Sequence, residues 1–96
     1  MLTIESIRTI VSEIGKKYVI KKAYLFGSYA KGKANNDSDV DIIIEKGELN
    51  TYKDYFYMCE ELEKELGTNV DLLTSDSIRP NFFERIKNDR ILLYGV

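Results

Sequence analysis

Residues 40–44 read Val-Asp-Ile-Ile-Ile, and no other stretch of the chain restricts its fold so closely. β-Branched side chains are stiff at χ1 and fit a pleated surface, so the run favours a strand. Its aliphatics supply a buried sheet, yet Asp41 sits among them and Asp39 precedes them by two positions. Residues at i and i+2 share one face of a strand about 7 Å apart, so both carboxylates can converge on one or two hard, oxygen-seeking cations. An acid inside such a strand destabilises it unless the strand is an edge, or the acid is paired or metal-bound. Metal chemistry is the leading expectation.

The flanking sequence alternates helix and strand signals. Ile4, Ile7, Ile10, Val11 and Ile14 recur at helical spacing from Thr3, and Gly15 to Lys17 offers a helix end. Ala23–Phe26 reads as a strand halted at Gly27, and 28–36 as a turn or single helical turn followed by a loop. The next strand is Asp39–Glu45. Thr51 with Asp54 resembles a capping box, opening a helix whose apolar face carries Tyr52, Tyr55, Phe56, Cys59, Leu62 and Leu66 and which Gly67 ends. Asn69–Thr74 is a third strand, with Asp71 and Leu73 on one face and Val70 and Leu72 on the other. Pro80 suits the first turn of a last helix running to about Asp89, and 91–94 a closing strand. The fold class expected is therefore α/β, or α+β in the looser sense: one domain over 1–96, a small mixed sheet packed with helices.

Two other sites fit the spacing in part. Gly27 to Ala34 nearly matches the phosphate loop G-x-x-x-x-G-K-[ST], but Ala34 has no hydroxyl and 35–38 do not open a long helix. Asp37, Asp39, Asp41 and Glu48 fall at positions 1, 3, 5 and 12 of a calcium loop, but the sharp turn at position 6 wants glycine and finds Ile42.

Leu25-Phe26-Gly27-Ser28-Tyr29-Ala30-Lys31-Gly32, then Ser38-Asp39-Val40-Asp41, then Val70-Asp71-Leu72, taken in order, resemble the nucleotidyltransferase superfamily that includes DNA polymerase beta. Within it the chain is similar to the minimal, MNT-type members, which are typically paired as antitoxins with HEPN-domain toxins. Lys31 departs from the arginine many relatives carry, keeping the charge without bidentate phosphate contact. The resemblance implies a polymerase-beta-like fold and two Mg²⁺ ions held by Asp39, Asp41 and Asp71, the last serving as base or only as ligand. It implies ATP gripped by Gly27, Ser28 and Lys31, and transfer of AMP to a hydroxyl, a tyrosine for choice, on a HEPN toxin in a hetero-oligomer. The physics of the residues agrees. Gly27 lets backbone approach a phosphate, Ser28 can donate to it, and the carboxylates offer hard oxygen ligands.

Each residue also has a plainer reading. Ser28 can be a helix N-cap, Asp39 a strand-entry residue, Asp71 a solvent-facing acid, and Lys31 and Lys33 solvated loop charges. Tyr57 lies off the apolar face and Phe82-Phe83 adds aromatic area, both available to a partner. Ninety-six residues leave no room for a separate substrate domain, so the acceptor is expected on another protein. Net charge −2 and a pI near 5.2 argue against direct nucleic-acid binding. A single cysteine, no basic leader and no long apolar segment predict a cytoplasmic protein without membrane association. Two further functions fit the same residues: an antitoxin acting by contact with little catalysis, and transfer to a small molecule such as an aminoglycoside.

Overall fold

A computed structural model describes residues 2–95 of the protein. Along the chain run α1 (Ile4–Tyr18), β1 (Lys22–Phe26), α2 (Gly27–Ala30), β2 (Val40–Glu45), α3 (Tyr52–Leu66), β3 (Val70–Thr74), a 3-10 turn (Ser75–Ser77), α4 (Pro80–Ile86) and β4 (Ile91–Tyr94). The four strands form one sheet in the order β3-β2-β1-β4, with β2 and β3 parallel and the other pairs antiparallel. That is the small mixed sheet the alternating pattern predicts. Among the described residues no helix is long and apolar enough to cross a membrane.

Alternation along β2 divides its side chains between two faces. Val40, Ile42 and Ile44 join Ala23, Leu25, Leu72 and Leu93 beneath α1 and α3, which contribute Ile7, Val11, Ile14, Met58, Leu62 and Leu66. On the opposite face lie Tyr24 and Phe26 of β1 and Asp41 and Ile43 of β2. Here α4 crosses the sheet, setting Phe82 edge-on to Phe26 (5.8 Å between ring centroids) and Phe83 edge-on to Tyr24 (6.3 Å). Arg90 lies over Tyr24 and Phe83 at 4.6 and 4.7 Å. Aromatic pairs of this kind contribute about 0.5–1.5 kcal/mol each beyond their burial. Ile43 is fully buried on this face, but α4 leaves the Asp41 end of it open.

Local chemistry explains the helix limits and several departures from expectation. Thr3 and Ser6 close a reciprocal capping box on α1, and Thr51 accepts from the Asp54 N–H at 3.1 Å on α3. Helix α1 runs through Gly15 instead of ending there, because a bare Cα is what fits: a Cβ would stand 3.1–3.3 Å from Tyr94 and Ile20. The left-handed closing residue is Val19. On α3 the buried stripe is Met58, Leu62 and Leu66, whereas Tyr52 and Phe56, expected inside, are 84% and 61% exposed. Helix α4 stops at Ile86, short of Asp89, and Phe82 and Phe83 pack on the sheet through Phe26 and Tyr24 while staying partly exposed.

Both sheet edges are sealed from above by polar side chains at helical i, i+4 spacing. On β3, whose outer side has no strand neighbour, the Tyr55 hydroxyl donates to the Leu72 carbonyl and the Cys59 thiol to the Val70 carbonyl (3.9 Å). The Glu63 carboxylate accepts from the Val70 N–H (3.0 Å). On β4 the carbonyls of Leu92 and Leu93 accept from Arg8 (3.3 Å) and Ser12 (3.2 Å) of α1. Unpaired edge groups template further strands, so this covering protects the monomer.

Candidate active site

The strand register gathers the residues singled out from sequence. Phe26, the last residue of β1, pairs with Asp41, and Asp41 pairs with Asp71 on the parallel neighbour β3. Adjacent strands lie about 4.8 Å apart, so Asp41 and Asp71 stand side by side on one face. Asp39, predicted as the first residue of the strand, lies one position before the observed β2, two residues from Asp41 and so expected on the same face. A turn delivers it: the Asn35 side chain accepts from the Asp37 N–H (2.8 Å), and the Ser38 N–H donates to the Asn35 carbonyl (3.1 Å). Ile42 is inside β2, so the calcium-loop spacing does not form a calcium loop.

The carboxylates differ in environment. Asp39 and Asp71 are exposed, while Asp41 is half-buried. Burial, then the negative charges of Asp71 and Asp39, push the Asp41 carboxyl up from 3.8 to about 6. Three acids grouped this way repel one another, and a divalent cation is the species that would relieve them. Among the described residues no three His, Cys, Asp or Glu side chains enclose a metal position unaided. A hard cation of the Mg²⁺ kind takes one or two carboxylates and completes its shell with water and substrate phosphates.

Gly27 is the second half of the site. Its φ of +72° is a left-handed conformation that disfavours any side chain, and a Cβ there would come within 2.1 Å of Asp41 Oδ2. Glycine is what allows the turn after β1 to lie directly against the carboxylate. From that turn starts α2, whose single turn carries no side-chain cap, leaving the first amides around Ser28 free to meet an anion. The chain then closes on itself through the Lys33 N–H to the Ser28 carbonyl (2.9 Å). Exposed Lys31 and Lys33 line an open groove with Asn88, Asp89 and Arg90 on the β4 side. Because α2 is one turn and is followed by loop, the phosphate-loop reading of 27–34 fails on structure as well as on Ala34.

Across this face the order is basic groove, Gly27-Ser28, Asp39 and Asp41, then Asp71. Next to β3 follows a cleft of about 430 Å³ lined by Leu73, Ile78, Arg79, Asn81, Phe82 and Arg85. Sequence reading overlooked Arg79, Phe82 and Arg85 as site neighbours, because nothing local signals that α4 crosses the sheet. A second hollow, about 500 Å³, lies at the far ends of β2 and β3 between Lys46, Tyr52, Tyr55, Leu72 and Asp76. It contains none of the three acids of the site.

The comparisons with known proteins agree with this geometry. A protein of Methanocaldococcus jannaschii, a candidate protein adenylyltransferase, is 38% identical over 90 residues, covering 94% of this chain and 97% of its own. Protein adenylyltransferase MntA of Thermococcus cleftensis is 35% identical over 83 residues, covering 82% of this chain and 84% of its own. In structure, the chain resembles one from a complex of a tri-AMPylated Shewanella oneidensis HEPN toxin with an MNT antitoxin. That likeness has a TM-score of 0.75 at 18% identity, over 98% of this chain and 74% of the other, and concerns the fold. The family model for the nucleotidyltransferase domain matches residues 4–93, a span holding the glycine turn and all three acids, and the chain belongs to that family.

Proposed function

We propose that this nucleotidyltransferase is a Mg²⁺-dependent protein adenylyltransferase that moves AMP from ATP to a tyrosine hydroxyl of a HEPN toxin, silencing it as an antitoxin. The observation that carries the reading is the contact of Gly27 with Asp41 and the in-register pairing of Asp41 with Asp71. It puts Gly27, Asp41 and Asp71 in one line across three strands, an order that supports a phosphate-binding turn, a metal-binding acid and an acceptor-side acid. The relatives named as protein adenylyltransferases support the choice of a protein acceptor, and the chain spans nearly their whole length.

Asp39 and Asp41 would hold Mg²⁺, with Asp71 completing a second position; bound there, the ions neutralise the phosphates and favour ionisation of the acceptor hydroxyl. The Ser28 amide and hydroxyl and the Lys31 ammonium bind the β- and γ-phosphates, orienting pyrophosphate to leave. Asp71, on the far side of Asp41 from that grip, faces the acceptor and receives or steers its proton. The acceptor oxygen bonds to the α-phosphorus in line as the α–β bridging bond breaks. The protein contributes position and charge, which dominate such transfers. The acceptor comes from a partner in a hetero-oligomer, a choice the relatives named as protein adenylyltransferases support, and a cytoplasmic setting supplies both ATP and toxin.

Incubation with labelled ATP, Mg²⁺ and the toxin encoded beside it should label the toxin. An Asp39→Asn, Asp41→Asn double variant should fold, lose labelling and fail to neutralise. A folded toxin left unlabelled would sink the proposal, and neutralisation retained by the double variant would favour an antitoxin acting by contact.

A further inference from the structure

The cleft between β3 and α4 sits where an acceptor must approach. The phosphate-binding turn is on β1 and the acids on β2 and β3, so pyrophosphate leaves toward β1 and the attacking hydroxyl enters from the β3 side. On that side Leu73, two residues after Asp71 and on its face, forms part of the cleft with Ile78 and Phe82. Phe82 in turn packs on Phe26, the strand partner of Asp41. The apolar lining is thus continuous with the reacting centre.

Two cations border it. Arg79 and Arg85 are exposed, and Arg85 lies over the Phe82 ring at 5.6 Å. Among the described residues the ion pairs are Lys17 with Glu61 and Lys46 with Asp76, so neither arginine has a carboxylate partner. Two guanidinium groups without a carboxylate partner thus border one apolar cleft, with the acids of the site beyond its β3 wall. Such an arrangement fits an aromatic side chain on the apolar lining and carboxylates on either flank.

Resting on the adenylyltransferase reading, we infer that this cleft is the acceptor-docking surface and that it selects a tyrosine flanked by aspartate or glutamate. Arg79 and Arg85 act as specificity determinants; they hold the acceptor and do not touch the nucleotide.

The test uses the full chain and synthetic peptides of about ten residues with one tyrosine, flanked by acidic, neutral or basic residues. Fluorescence anisotropy gives peptide binding, and labelled ATP gives transfer. Acidic peptides should bind best, and an Arg79→Ala, Arg85→Ala variant should weaken them about tenfold with ATP affinity unchanged. An Arg79→Glu, Arg85→Glu variant should instead prefer the basic peptide, a reversal that loss of packing would not produce. Equal binding of all peptides, or a fall in ATP affinity with peptide binding intact, overturns the inference. Labelling of the intact toxin by these variants at an unchanged KM would do so too while leaving the adenylyltransferase reading standing. No labelling of the intact toxin by the unaltered protein would remove both.

Discussion

Replacing Asp41 with asparagine should stabilise the metal-free protein at neutral pH while abolishing transfer. The Asp41 carboxyl is raised from 3.8 to about 6, so the folded state binds this proton more tightly than the unfolded chain does. Well below 3.8 both states are protonated and there is no cost. As pH rises the unfolded state ionises first, and above pH 6 the fold holds a buried carboxylate beside two others. At about 1.4 kcal/mol for each tenfold change in proton affinity the penalty is at most ~3 kcal/mol. Screening by the solvent that partly reaches this side chain reduces that to roughly 1–2 kcal/mol. In a domain of this size 1 kcal/mol moves the melting temperature by about 4–8 °C. In EDTA at pH 7.5 the Asp41→Asn protein should therefore melt about 5 °C or more above the parent, and at about pH 3 the two should coincide. Mg²⁺ with a non-hydrolysable ATP analogue should reverse the order at pH 7.5, raising only the parent. Circular dichroism melts at half-unit pH steps suffice, because the difference between the two proteins isolates Asp41 from the other acids. A variant that is less stable by the same amount at every pH would refute the reasoning, since Asp41 would then be stabilising the fold by packing or hydrogen bonding.

Asp71→Asn removes the larger of the two charge repulsions on Asp41, so the pH midpoint of Asp41, followed by carboxyl carbon NMR, should fall below about 6. Gly27→Ala places a methyl within 2.1 Å of Asp41 Oδ2 at a φ of +72°, and should cost about 2–3 kcal/mol in urea unfolding and weaken ATP-analogue binding in calorimetry. Thr51→Ala leaves the Asp54 N–H uncapped and should cost about 1 kcal/mol in the same unfolding assay. Tyr55→Phe together with Glu63→Ala strips a donor and an acceptor from the β3 edge, which should lower stability by about 2 kcal/mol and increase light scattering on warming.

Much of the site was legible because its signals are local and chemical. An aspartate inside Val40–Ile44 has no structural use in an aliphatic strand, and Gly27, fourteen residues upstream of Asp41, takes the conformation that lets backbone reach it. Period-two alternation then assigned Asp71 to the open face correctly. What could not be read was set by tertiary contact. Of the face expected on α3, Tyr55, Cys59, Leu62 and Leu66 do turn to the core, whereas Tyr52 and Phe56 stay in solvent and Met58, not expected there, is buried. Gly15 looked like a helix end, yet its missing side chain serves Tyr94, nearly eighty residues away. The path of α4 was equally hidden, since the partners of Phe82 and Phe83 are on β1.

The polar stripes that close β3 and β4 also decide how this protein can recognise another. A peptide that lengthened the sheet would have to displace the contacts that Tyr55, Cys59, Glu63, Arg8 and Ser12 already make with edge carbonyls and the Val70 N–H. Backbone-directed capture is indifferent to sequence and would let any extended, unfolded segment reach the acids. With that route obstructed, recognition falls to side chains over the open face. The seals on the two edges thus guard the proteome as well as the fold.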